Sequence, residues 1–159
     1  MSSLAKPTNA SLPPPAATRR VFRFKKRGAS LGLAAGDTAS LIRQIEEGLS
    51  FDALQSLESH LGVSLSVIGS LIGIPERTLA RRKAVGKLAP EESERLLRIS
   101  SIFEKTVELF EGDLEAAVNW LTTPKKALGN QQPLFYSRTE VGAREVENLL
   151  GRIEHGVFS

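Results

Sequence analysis

From residue 37 onward, apolar positions recur at three- and four-residue spacing in successive blocks, the periodicity of helices that bury one face. The first block starts at Asp37 or Thr38, both good N-caps, and continues through Leu41, Ile42 and Ile45 until Gly48 stops it. The second opens at Ser50, whose hydroxyl can cap it, and carries Phe51, Leu54, Leu57 and Leu61 on one face. Val63 to Gly86, VSLSVIGSLIGIPERTLARRKAVG, holds two more. Leu65, Ile68, Leu71 and Ile72 give the earlier helix its stripe, Gly69 leaves room for a neighbouring helix, and Gly73 ends it. Pro75 suits the first position of the next helix, and Glu76 the positive first turn. There Leu79 turns inward, whereas Arg77, Thr78, Arg81 and Arg82 cluster on the opposite side. The stretch reads as a helix-turn-helix, with the first two helices as its platform.

A further helix is announced by Leu88, Ala89 and Pro90, with Glu91 and Glu92 in its first turn. Leu96, Leu97, Ile99, Ile102, Phe103, Val107 and Phe110 carry it over about five turns, longer than a compact four-helix module needs. Its surplus apolar face calls for cover from the C-terminal region, from a second copy in a two-fold dimer, the usual state of helix-turn-helix proteins, or from both. Gly112 closes it and Asp113 opens another helix whose face is Ala116, Ala117, Trp120 and Leu121, with Trp120 expected as a core anchor. Turns follow at Thr123-Pro124, Gly129-Asn130 and Gln132-Pro133. A last helix from about Thr139 uses Val141, Val146, Leu149, Leu150 and Ile153 and ends near Gly156. No strand is needed, so the fold class is all-α.

Charge changes the picture at two places. Seven Lys or Arg and no acid lie in residues 1–36, leaving 14 basic against 18 acidic side chains in the other 123 residues. The body is therefore mildly acidic, and its positive potential is confined to residues 73–87, with five basic residues against one acid. Arg77, Thr78, Arg81, Arg82, Lys83 and Lys87 are accordingly the candidate DNA-binding residues. Arginine grips phosphate, or guanine with two hydrogen bonds, and the N-terminal half of a recognition helix reaches base edges. Residues 1–18, with a Pro-Pro-Pro run and little to bury, read as disordered. In RRVFRFKKR, from Arg19 to Arg27, Phe22 and Phe24 alternate with basic residues as in a short strand. Two readings stand for it, a solvated tail and a basic arm along DNA.

Catalytic constellations are missing. There is no cysteine for a disulfide, thiolate metal site or nucleophile. His60 and His155 lack the spacing of a metal pair, His60 being expected at a surface or helix end. No serine elbow or phosphate-cradling glycine loop occurs, and Glu91-Glu92 fits a helix start better than acid–base work. The chain is read as no enzyme, with no cofactor or metal. Its longest apolar run, near Val67 to Ile74, is too short to span a bilayer, and the N-terminus lacks a signal-peptide core, so a cytoplasmic location is expected.

RTLARRK, then KL and EESERLLR, then AVNWLTTPKKALGNQQPL and TEVGAREVENLLGRIEHGVF occur in order. Over Asp37 to Phe158 this pattern resembles the Xre/MbcA/ParS antitoxins that partner RES-domain toxins. The resemblance implies an Xre-like helix-turn-helix bundle joined by a long helix to a small helical toxin-binding domain. It divides the chain into a disordered basic tail (1–36), a DNA-binding region with the long linking helix (37–110) and a toxin-binding domain (111–159). It further implies autorepression through operator DNA and a cognate toxin that resembles ADP-ribosyltransferases and consumes NAD. The antitoxin's C-terminal end occludes the toxin's active site, with no chemistry of its own. Carried onto this sequence, the contacts fall on Glu147, Asn148, Arg152, Glu154, His155, Gly156, Val157 and Phe158, and Arg152 to Phe158 would plug the pocket. Two departures bear on partner preference: Asn130 where the family commonly has a second glycine, and LFYSR from Leu134 to Arg138. The alternative is a stand-alone helix-turn-helix regulator with no toxin.

Overall fold

The computed structural model describes residues 21–34 and 36–156. Eight α-helices and two 3₁₀ turns make up the described chain, which forms isolated bridges but no strand. α1 (Thr38–Glu47) begins where the Asp37 carboxylate accepts from Ser40 N at 2.8 Å, satisfying one N–H that a helix start leaves open. α2 (Phe51–Leu61) is capped by Ser50, and α3 (Leu65–Leu71) by Ser64. α4 (Glu76–Val85), α5 (Pro90–Leu109) and α6 (Leu114–Thr122) follow, the last capped by Asp113. A four-residue α7 (Pro133–Tyr136) and α8 (Glu140–Glu154), capped by Thr139, complete the chain.

α5 is the axis. Leu96, Ile99, Ile102, Phe103 and Val107 are buried along its length, and α1, α6, α7 and α8 pack around it. The surplus apolar face is thus covered from within the chain. One apolar cluster runs unbroken from Leu31 and Leu41 through Phe103 to Trp120 and Leu150. Trp120 is the core anchor the sequence suggests, with the Lys125 ammonium 5.3 Å from its ring.

Two stripe positions are corrected. Ile42 is 49% exposed although Leu41 beside it is buried, because α1 touches the body along one edge only. Val141 is 75% exposed; at that end of α8 the buried positions are Gly142 and Ala143. A Cβ on Gly142 would collide with the Tyr136 carbonyl, so α7 approaches α8 through a gap that only glycine leaves.

The basic tail is corrected in part. Residues 1–20 lie outside the described residues, but residues 21–34 dock on the body instead of trailing from it. Phe22 N donates to Gly112 O at 3.0 Å, and Val21 bridges Asp113. The Phe24 ring lies 5.6 Å from Phe103 and 5.3 Å from His60, which also meets Phe22 edge-on. His60, in the last turn of α2, is therefore a packing residue whose Nδ1 lies 2.8 Å from Ser56 O. Arg27 Nε donates to Ser101 Oγ at 2.9 Å, and the Glu104 carboxylate accepts from Ser30 N and Gly28 N at 3.1 and 3.3 Å. Burial raises the Glu104 pKa above the usual carboxylate value, against the opposing pull of those backbone donors. The alternation of Phe22 and Phe24 with Arg23 and Lys25 turns the apolar side inward and leaves the cations in water.

Candidate functional site

α3 and α4 form the helix-turn-helix. Ile68, Leu71 and Ile72 are buried, and the turn closes where Ile74 N donates to Gly69 O at 2.8 Å. A Cβ on Gly69 would sit 3.3 Å from Ile74 O and 3.4 Å from a Leu79 methyl, so the close approach inferred for this glycine is to the turn and to α4. Pro75 is the N-cap rather than the first helical residue: its φ of −62° suits a helix, but its ψ of 155° is extended, and α4 starts at Glu76. Glu76 also ties α4 to α3 by accepting from Ser66 Oγ at 2.8 Å.

No residue of α4 is buried, so the helix lies on the surface with Leu79 half-sunk against the core. Arg77, Arg81, Lys83 and Lys87 are exposed, and none of the four is ion-paired among the described residues. Thr78 is half-buried, with Arg81 Nη2 3.5 Å from its hydroxyl. Arg82 stands apart from the others. Its Nε donates to Glu92 Oε1 at 2.8 Å and its Nη2 to Oε2 at 3.5 Å, turning the guanidinium towards the start of α5. The structure thus brings Arg77, Arg81, Lys83 and Lys87 to the surface, without an ion pair among the described residues, and draws Arg82 aside. The sequence reading missed Glu92 as a partner because it lies ten residues away, across a helix end and a loop.

The second group sits on α8. Glu147 is half-buried and pairs with Lys105 of α5 at 3.0 Å, so it is already engaged within the chain. Asn148 is exposed and Arg152 half-buried, one turn apart on the same face. Arg152 Nε is buried with no hydrogen-bond partner among the described residues. Glu154, His155 and Gly156 are exposed, and Gly156, at φ 69°, turns the chain away from the helix axis. Val157 and Phe158 lie outside the described residues. Of the departing run Leu134 to Arg138, Leu134 is buried, whereas Phe135 is exposed under the Arg138 guanidinium, 3.6 Å from the ring.

No group of three metal-ligating side chains occurs among the described residues, and no helix there is long and apolar enough to cross a membrane. The cleft beside residues 24–27 sets Lys25, Lys26, Arg27 and Lys105 against Glu104, Glu108 and Glu147, so its charges nearly balance.

Residues 40–101 match the family model described as the antitoxin Xre-like helix-turn-helix domain. Residues 105–156 match that of the antitoxin Xre/MbcA/ParS C-terminal toxin-binding domain. An Antitoxin Xre of Yersinia enterocolitica is 40% identical over 147 residues, 92% of this chain and 95% of that protein. An Antitoxin Xre of Photorhabdus laumondii subsp. laumondii is 32% identical over 131 residues, 82% of this chain and 88% of that protein.

Proposed function

The chain belongs to the Xre/MbcA/ParS antitoxin family, and on that premise we propose that it neutralises a RES-domain, NAD-consuming toxin by seating the end of α8 in the toxin's active site. Its own part is binding rather than catalysis. The observation that carries the proposal is the end of α8. Glu154, His155 and Gly156 stand exposed beyond the last buried turn at Leu150, just after a half-buried Arg152. A chain that leaves its helix through a glycine can enter a cleft closely. Glu147 and Asn148 lie further up α8, and Val157 and Phe158 extend the same end.

We further propose that the α4 surface binds operator DNA ahead of the chain's own gene and represses it, as a cytoplasmic homodimer spanning two half-sites. Arg77, Arg81 and Lys83 on α4 and Lys87 just beyond its end supply four cations that are exposed and not ion-paired among the described residues, on a helix that gives only Leu79 to the core. Co-expression with the neighbouring gene product tests the toxin half. The expected result is a stable complex and cells that keep their NAD. A RES-domain neighbour that depletes NAD whether or not this chain is present contradicts it.

A further inference from the structure

Because α4 buries none of its residues, apolar packing holds its angle only weakly, and the polar fasteners at its two ends matter more. At the start, Ser66 donates to Glu76, both exposed to water. At the other end, the Arg82 and Glu92 side chains are only 30% and 11% exposed. Glu92 Oε1 accepts both Arg82 Nε at 2.8 Å and Ala89 N at 2.7 Å, so one carboxylate closes the first turn of α5 and grips α4. Charge-assisted bonds shielded from water are shorter and stronger than exposed ones, and a guanidinium held at Nε and Nη2 has a fixed direction. The loop between the helices is pinned as well, by Phe51 N to Gly86 O at 2.9 Å and Leu88 N to Leu49 O at 2.9 Å. With the loop fixed, the rotation of α4 is held by Leu79 against the core, by the water-exposed Ser66–Glu76 bond and by this shielded ion pair, the only one of the three that also fixes a side-chain direction on the C-terminal half of the helix.

We propose that Glu92 is a positioning residue for DNA recognition: it fixes the angle at which α4 is presented to a groove, and Arg82 acts through Glu92 rather than on DNA. This rests on the DNA half of the proposed function. It reassigns Arg82, which its position in the arginine cluster alone would place on the DNA.

The test compares the full-length chain with Glu92→Gln, Arg82→Met and the double variant. Each is titrated against the duplex upstream of its own gene and against a random duplex of equal length, at several salt concentrations. Each single variant is expected to lose about tenfold in preference for the upstream duplex, the discrimination of one two-pronged base contact. The double variant loses no more, because the two side chains act as a unit. Affinity for the random duplex, the salt slope and toxin binding stay unchanged. The proposal is overturned if Arg82→Met weakens both duplexes equally and lowers the salt slope by about one while Glu92→Gln does nothing, since that is the behaviour of a phosphate contact. It is also overturned if Glu92→Gln weakens toxin binding in step with DNA binding, which marks a residue that merely holds the fold. A wild-type chain with no preference for the upstream duplex removes the DNA reading and this proposal together.

Discussion

Phe24 and Glu104 show how single side chains hold in place a segment whose charge suggests solvent. Phe24 packs on Phe103 and His60, and its replacement by alanine is expected to destabilise the protein by about 1–3 kcal/mol, less than a fully buried phenylalanine because one side stays wet. Urea denaturation measures this, and an unchanged midpoint would show the docking to be incidental. Glu104 makes a pH prediction with a definite sign. Its folded pKa is raised by burial above the ordinary value of 4.5, so the folded state favours the protonated form. The stability this contributes is present in full below 4.5 and lost as pH rises through the higher folded value. Glu104→Gln cannot titrate, so its stability relative to the wild type should improve as pH rises across that interval. Parallel pH profiles for the two proteins would contradict the burial argument. Gly142→Ala places a methyl group against the Tyr136 carbonyl and should cost about 1–3 kcal/mol, because backbone cannot swing aside as a side chain can.

Whole elements were legible wherever a cap and a period coincide. Asp37, Ser50, Asp113 and Thr139 each bond to an N–H of the first turn of a helix with an apolar stripe, and those four helices lie where the pattern puts them. α5 is legible for a related reason, with Pro90 at its first position and Glu92 reaching back to Ala89 N. The two 3₁₀ turns and α7 are not, since three or four residues are too few to show a period. Residues 21–34 were half legible. Alternation showed an inward side, but nothing local told that its receptor is Phe103 and Glu104, 74 to 79 positions away in the sequence. At the site, exposure of Arg77 and Arg81 follows from the phase of α4 against Leu79, whereas the diversion of Arg82 depends on a loop geometry that no spacing encodes. The double variant Arg77→Ala, Arg81→Ala is accordingly expected to lower operator affinity at least about tenfold and leave toxin binding intact, as read by gel shift and co-purification. Operator binding unchanged in that variant would remove α4 as the reading element.

At the scale of the molecule, the two family-matched regions share α5 and one apolar core instead of meeting across a linker. The described chain should unfold as a single cooperative unit. Fluorescence of Trp120, which reports on α6, and far-UV circular dichroism, which reports on all the helices, are expected to give coincident urea transitions. An earlier Trp120 transition would mean that the C-terminal region is held more loosely than the core implies. A shared axis also links the surfaces. Glu92 near one end of α5 holds α4, and Lys105 towards the other holds Glu147 of α8. Any toxin that displaces α8 should therefore alter operator affinity, and operator DNA should alter toxin affinity by the same factor.

The claim that this chain silences its partner with the end of α8 is tested most directly by deleting residues 154–159. The deletion stops after Ile153, beyond the buried Val146 and Leu150, and so leaves the core intact. In cells producing the cognate toxin, the truncated chain should remain folded and still bind the upstream duplex, yet fail to protect growth and NAD. If the truncated chain protects as well as the full one, toxin neutralisation does not lie in the end of α8.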